Sequence, residues 1–113
     1  MKTETAYQNA LDYLYTFVDY SLKHISELAK AEFNLDRMRD LMRLLGDPQN
    51  DYPIIHIAGS KGKASTAAFA ASALRVADYR VGLYTSPHLQ EFTERMQVNG
   101  IPITKEEFVA LVE

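Results

Sequence analysis

The run Ile54-Ile55-His56-Ile57-Ala58, held between Pro53 and Gly59, constrains this chain more than any other stretch. Three β-branched isoleucines in five residues, without the polar alternation of a half-exposed strand, predict a short strand buried on both faces. Strands of that kind belong to parallel sheets covered by helices. A glycine-containing loop follows, then an alanine-rich segment from Lys63 to Ala77 that predicts a helix, then a second apolar run, Val81-Gly82-Leu83-Tyr84-Thr85. Strand, crossover helix and strand form a βαβ unit, so the fold class expected is α/β with a central, mostly parallel sheet.

Upstream lies a helical lead-in, residues 1–50. Ala6, Ala10, Leu11, Leu14, Phe17 and Val18 recur at spacings of three and four, which predicts an amphipathic helix capped near Thr3 or Thr5. Tyr7, Tyr13, Tyr15 and Tyr20 fit that amphipathicity and are assigned to packing and surface. Leu22 to Phe33 is mixed in character. Asn34 is a good N-cap for a second helix carrying Leu35, Met38, Leu41, Met42 and Leu45 on one face, closed by Gly46 and Asp47-Pro48. Downstream, Met96 to Val98 and Ile101 to Ile103 flank Asn99-Gly100, the residue pair of a type I′ hairpin turn. Thr104 and Glu107 have the spacing of a capping box, opening a last helix with Phe108, Leu111 and Val112 toward a face. Two parallel strands and one crossover helix cannot cover both faces of a buried sheet. The chain is therefore expected to be the N-terminal piece of a larger α/β protein, the alternative being a small domain that dimerises over its sheet.

Gly59-Ser60-Lys61-Gly62-Lys63-Ala64-Ser65-Thr66 occupies the turn between strand and helix, where a phosphate-binding loop sits. The first turn of a helix has backbone N–H groups without partners and the positive end of the macrodipole, both suited to an anion. Glycines let the backbone approach phosphate oxygens that side chains would hold away. Lys63 adds a mobile cation able to follow charge between the β and γ phosphates, and it is the expected catalytic residue. The spacing departs from the general phosphate-loop pattern, since only Ser60 and Lys61 separate the glycines and Ala64 follows Lys63. A βα turn that only packs is the alternative reading of the same residues.

Charge and composition narrow the ligands. With 113 residues, 47% hydrophobic and 24% charged, the chain has the make-up of a globular protein and room for one domain at most. A net charge of -3 disfavours nucleic acid, which calls for a dense Lys/Arg face. There is no cysteine, so disulfides, thiolate metal sites and thiol nucleophiles are excluded. No stretch has the length and apolarity of a bilayer span or a secretion signal, and a cytoplasmic location without membrane attachment is expected.

The stretch His56 to Thr66 resembles the phosphate loop of the Mur ligase superfamily, whose folate branch has Gly-Thr, then Asn or Lys, then Gly-Lys-Gly-Ser. A second block is similar to the folylpolyglutamate synthase and dihydrofolate synthase family in particular. It comprises Tyr79-Arg80-Val81-Gly82-Leu83-Tyr84-Thr85-Ser86-Pro87-His88-Leu89, then Glu94-Arg95 and Val98-Asn99-Gly100. Together the blocks cover His56 to Gly100, with a looser likeness back to Asn34. Three residues depart from the family pattern: Ser60 for Thr, Ala64 for Gly, and Asp78 for a helix-ending Gly. Ser60 keeps the hydroxyl, and Asp tolerates a left-handed position better than most residues.

The resemblance implies a Mur-ligase-like ATPase domain with a phosphate loop, of which residues 1–113 are the N-terminal portion. The remainder of that domain and a C-terminal domain carrying glutamate would lie beyond. It implies an ATP-dependent ligase of folate biosynthesis and one-carbon metabolism that joins L-glutamate to folate, or to dihydropteroate, through an acyl phosphate. The complete protein would be a monomer using ATP and Mg²⁺, and the 113 residues alone would be inactive. Gly59, Ser60, Lys61, Gly62, Lys63, Ala64 and Ser65 would bind nucleotide. Ser86, just past the second strand where ligands of open α/β sheets collect, would hold Mg²⁺ through its hydroxyl, the alternative being a loop serine that shapes the turn at Pro87. Ala31, Glu32 and Phe33 would line the pterin pocket, Phe33 being otherwise an ordinary core aromatic. His56 is expected to be a hydrogen-bonded core residue and His88 a solvated loop residue. A non-catalytic nucleotide-binding fragment and another Mur-type ligase are the rival readings.

Overall fold

The computed structural model describes residues 2–28 and 35–113. They fall into two compact units, Met1–Tyr15 with Ile57–Glu113, and Thr16–His56.

In the first unit the chain opens in helix α1, Lys2–Leu28, which runs on beyond this unit. Thr3 and Thr5 lie inside its first turns and so do not cap it, against expectation. The buried stripe is Tyr7 and Ala10 with Leu11 and Leu14 beside them, a spacing of three and four that places them on one face. Tyr7 thus belongs to the core itself. Its ring meets Phe108 edge-on at 5.4 Å and 73°, and Phe108 in turn meets Phe92 at 5.4 Å. Edge-to-face contact sets the positive rim of one ring against the negative face of another, which adds to the burial of area. Met96, Ile103, Val109 and Val112 close around this nucleus.

Phe108 is delivered by helix α4, Lys105–Val112. The expected capping box is formed: the Glu107 N–H donates to Thr104 Oγ1 at 3.1 Å and the Thr104 N–H to Glu107 Oε2 at 2.7 Å. The inward face is Phe108, Val109 and Val112, while Leu111 is exposed.

Three short strands, β1 Gly82–Tyr84, β2 Met96–Val98 and β3 Ile101–Pro102, form an antiparallel sheet in that order. Tyr84 faces Met96 and Gly82 faces Val98 in the ladder. Asn99 at φ 51° and Gly100 at φ 78° make the turn between β2 and β3, as the sequence predicts, since both central residues of a type I′ turn need positive φ. Asn99 adds a second fastening, its Oδ1 accepting from the Val81 N–H at 2.9 Å.

The crossover helix α3, Lys63–Val76, packs against β1. Ala67, Ala70, Ala71 and Leu74 are its half-buried positions. It ends in a Schellman motif: the Asp78 N–H bonds the Arg75 carbonyl and the Tyr79 N–H the Leu74 carbonyl, both at 3.0 Å. Asp78 takes the left-handed position at φ 68°, where glycine is the usual residue.

The run 54–58 departs from expectation. It forms no strand, Ile54 and Ile55 are 59% and 66% exposed, and His56 is exposed instead of buried in a core. A strand exists only through a ladder partner for its N–H and C=O groups, and among the described residues none pairs with 54–58. The parallel pairing expected of a βαβ unit is accordingly not formed here, and β1 pairs antiparallel with β2.

In the unit Thr16–His56, helix α2, Asp36–Leu44, begins after Leu35, which supplies no side-chain cap. Asn34, expected to cap it, lies outside the described residues, as do Ala31, Glu32 and Phe33. Arg39 pairs with Asp36 and Arg43 with Asp40, each at 3.0 Å and one turn apart. The helix closes as expected in a Schellman motif on Gly46 at φ 83°, with the Asp47 N–H bonding the Met42 carbonyl at 2.8 Å. No residue of this helix is buried.

Candidate functional site

The loop before α3 is built by its second glycine. Gly62 sits at φ 73° and ψ 6° as the N-cap residue of α3, and no side chain caps the helix there. A Cβ added at Gly62 would meet nothing within 4 Å, so glycine is required by the left-handed backbone and not by crowding. The first helical hydrogen bond runs from the Thr66 N–H to the Gly62 carbonyl at 2.9 Å. The amides of Lys63, Ala64 and Ser65 therefore precede the helical ladder and point outward from its positive end. No acidic residue stands in the first turn to occupy that field. Residues 59–66 are all exposed, and Lys63 Nζ donates back to the Gly59 carbonyl, which folds the ammonium over the loop. Gly59, Ser60, Lys61, Gly62, Lys63, Ala64 and Ser65 thus lie exposed at the opening of α3, without the strand expected before them, and a helix opening of this kind can take an anion.

Ser86 follows β1. The Schellman turn at Asp78 reverses the chain after α3, and β1 packs on α3 as it returns. Helix α3 rises about 21 Å over its length, and the residues from Val81 to Ser86 rise about 17 Å in extended form. The return thus carries Ser86 back toward the end of α3 that bears the loop. Its side chain is exposed, and the peptide bond to Pro87 is cis.

The residues after Ser86 hold a network that the sequence reading did not identify. His88 is half-buried: its Nδ1 accepts from Arg95 Nε at 2.9 Å, and its ring meets Phe92 at 5.6 Å. That overturns the expectation of a solvated histidine. The Arg95 guanidinium also lies 4.7 Å over the Phe92 ring. Glu94 accepts three successive amides, from Leu89 at 3.1 Å, Gln90 at 2.9 Å and Glu91 at 2.7 Å. These hydrogen bonds, the Glu91 amide first, hold its carboxyl below the usual range. The one signal in sequence is the spacing of Glu94 three residues after Glu91, which suits a carboxylate reaching back over a tight turn.

Next to this network Lys105 Nζ meets Glu4 at 2.8 Å, lies 3.9 Å from Glu91 Oε1 and stands 4.8 Å from the Tyr7 ring centroid. The Glu4 hydrogen bond raises its pKa. Tyr7 donates to Glu91 Oε2 at 3.3 Å, and burial followed by the Glu91 charge raises the phenol pKa.

Among the described residues no three His, Cys, Asp or Glu side chains cluster as a metal site, and no helix is long and apolar enough to cross a membrane.

No protein-family model matches the chain. The dihydrofolate synthase/folylpolyglutamate synthase of Bacillus subtilis is 43% identical over 108 residues, 96% of this chain and 23% of that protein. The crystal structure of folylpolyglutamate synthase from Thermotoga maritima superposes with a TM-score of 0.77 at 36% identity, covering 96% of this chain and 23% of the other. That of Mycobacterium tuberculosis folylpolyglutamate synthase, complexed with ADP and AMPPCP, gives 0.68 at 40% identity over 83% of this chain and 22% of its own. The chain thus spans about a quarter of the length of these three proteins, and over that span its sequence and its fold place it in the folylpolyglutamate synthase and dihydrofolate synthase family.

Proposed function

We propose that this chain supplies the phosphate-binding part of an ATP-dependent amide ligase that joins L-glutamate to folate, or to dihydropteroate. Residues 1–113 would then belong to its Mur-ligase-like ATP-binding domain, with the helical lead-in 1–50 before the loop. The observation that supports this reading most is the opening of α3: a left-handed Gly62, three uncommitted amides and Lys63 over the loop. Relatives named for glutamate ligation and a neighbour carrying ADP and AMPPCP point the same way.

In this reaction the γ-phosphate of ATP passes to a carboxylate oxygen of the pteroyl substrate, releasing ADP. The amine of L-glutamate attacks the acyl carbon of the resulting acyl phosphate, loses a proton and expels inorganic phosphate. Phosphorylation is needed because a free carboxylate is a poor electrophile. Lys63 exchanges the Gly59 carbonyl for the β and γ phosphate oxygens, and the amides of Lys63, Ala64 and Ser65 bind the phosphates beneath it. Gly59, Ser60 and Lys61 shape the loop's outer wall. Mg²⁺ would supply charge neutralisation on the phosphates. The exposed Ser86 hydroxyl fits it, since Mg²⁺ on a nucleotide takes few protein oxygens. Ala31, Glu32 and Phe33 are assigned to the pterin side on resemblance alone.

The test is a chimera in which this chain replaces the matching segment of the Bacillus subtilis relative, followed by ADP release with folate, L-glutamate, Mg²⁺ and ATP. Ligation is expected, with Lys63→Ala lowering it by about 100-fold or more. A Lys63→Ala rate within twofold of the parent chimera would remove Lys63 from the reaction. A chimera that binds ADP and ligates neither folate nor dihydropteroate would favour a non-catalytic nucleotide-binding role.

A further inference from the structure

The segment from Ser86 to Glu91 carries the proposed metal hydroxyl, yet it is neither helix nor strand and most of its side chains face solvent. What shapes it comes from four residues downstream, the single-turn 3-10 helix Phe92–Arg95. On one side of Ser86 the Thr85 N–H donates to the Arg95 carbonyl at 3.0 Å. On the other, the Arg95 side chain holds the His88 ring. Beyond that the Glu94 carboxylate draws in the amides of Leu89, Gln90 and Glu91, Oε1 taking two of them and Oε2 the third. Three consecutive N–H groups turned toward one point form an anion-binding concavity of the kind that can hold a phosphate, and here a side chain of the same chain fills it. The 3-10 helix is itself fixed to the core, since Thr93 is 7% exposed and Phe92 lies against Phe108.

We propose that Glu94 is a positioning residue for the Ser86 loop, holding Leu89 to Glu91 folded back so that the Ser86 hydroxyl stays at the end of β1 facing the opening of α3. Arg95 is its partner, securing the loop's near side through Thr85 and His88. Glu94 touches neither nucleotide nor metal in this account and acts only through the loop. Its depressed pKa agrees with a carboxylate held ionised by these amides. The inference rests on the metal role given to Ser86 above.

The experiment uses the full chain with ADP as probe, its affinity measured with and without Mg²⁺, in the parent, Ser86→Ala, Glu94→Ala, Glu94→Gln and the Ser86→Ala/Glu94→Ala double variant. Losing a charged acceptor from several amides predicts that Glu94→Ala gives up most of the Mg²⁺-dependent tightening, by roughly 10-fold, while metal-free affinity stays within about twofold. Glu94→Gln keeps an oxygen for Gln90 and Glu91 and should recover most of that loss. The double variant should be no worse than the worse single one, because both act through one hydroxyl. Amide exchange read on the same proteins without nucleotide should speed up by about 10-fold at Leu89, Gln90 and Glu91 in Glu94→Ala and stay unchanged at Thr66 and Phe108. Unchanged exchange at those three amides overturns the proposal whatever ADP does. So does Glu94→Ala with parental Mg²⁺ tightening beside a Ser86→Ala that has lost it, or additive losses in the double variant. Parental tightening in Ser86→Ala, or none in the parent, overturns the metal role of Ser86 and this inference with it, even where the exchange result shows Glu94 pinning the loop.

Discussion

The aromatic nucleus around Phe108 and the stretch 35–56 were built by the same chain with comparable apolar content, and they end up in opposite conditions. Tyr7 and Phe108 are each 2% exposed, although they stand about a hundred positions apart in sequence. Met38, Leu41 and Leu45 belong to the apolar face of the helix Asp36–Leu44 and its C-cap, and all of them remain exposed. Both regions obey their local rules: each has a well-closed helix end and charges or caps in sensible places. What separates them is whether a partner for the apolar face is within reach. Local patterning states which face wants burial, and only a second surface can satisfy it.

That contrast between enclosed and exposed apolar side chains is broken or sharpened most strongly by large-to-small changes at one ring of each kind. Phe108→Ala should cost the unit it centres about 3–5 kcal/mol, because the ring is fully enclosed by Tyr7 and Phe92 and its loss leaves a cavity. Phe69→Ala, at a position 77% exposed on α3, should change stability by no more than about 0.5 kcal/mol. Urea titration of the two variants against the parent chain measures both. Equal costs would mean that Phe69 is covered in solution or that the aromatic nucleus is not the core.

A smaller effect is expected where the backbone, not the packing, is special. Gly62→Ala places a methyl at a left-handed N-cap with no neighbour within 4 Å, so its cost of about 1–2 kcal/mol should be conformational alone. Asp78→Gly makes the opposite change at φ 68° and should stabilise by up to about 1 kcal/mol. Thermal melts check both signs. The two sites differ in a second respect that sharpens the comparison: Gly62→Ala should also weaken ADP binding, because the altered residue opens the loop, whereas Asp78→Gly at the far end of α3 should leave it unchanged.

What was legible in sequence follows the same division. The extent of α3, the left-handed Asp78, the Asn99-Gly100 turn and the Thr104 capping box were all readable because each depends on residues within four or five positions. The composition of 54–58 states only that the segment suits a covered ladder. It cannot supply the neighbouring strand, so the expected parallel pairing is not found among the described residues. The glycine turn that opens α3 was legible as a motif, since the geometry of a helix end needs only a few neighbouring residues. The bond from Arg95 to His88 and the three amides on Glu94 were not. They depend on the fold of a loop with no periodicity, where side chains such as Asp and Glu compete with many alternatives for nearby backbone groups. The length of α1 was also missed, because the pattern of apolar residues blurs after Val18 while the helix continues to Leu28.

The smallest effect concerns the polar seam at the edge of the aromatic nucleus, and it should appear only at alkaline pH. Lys105 has a raised pKa, chiefly from its hydrogen bond to Glu4, and the Tyr7 phenol is raised by burial and then by Glu91. A raised lysine contributes its stability in full below the unfolded pKa and loses it as pH climbs through the higher folded value. A raised phenol behaves the same way, because the folded state favours the protonated form. Both contributions should therefore hold through neutral pH and fade together above about pH 10. The ion pair is largely solvated and should count for little, so the phenol is expected to dominate the alkaline decline. Tyr7→Phe keeps the ring against Phe108 and removes the titrating group, and should flatten that decline while barely changing the melt at pH 7. Lys105→Met should flatten it less. An alkaline limb of the same steepness in Tyr7→Phe would show that the phenol is open to solvent, and that the nucleus is looser on its α1 side than its geometry implies.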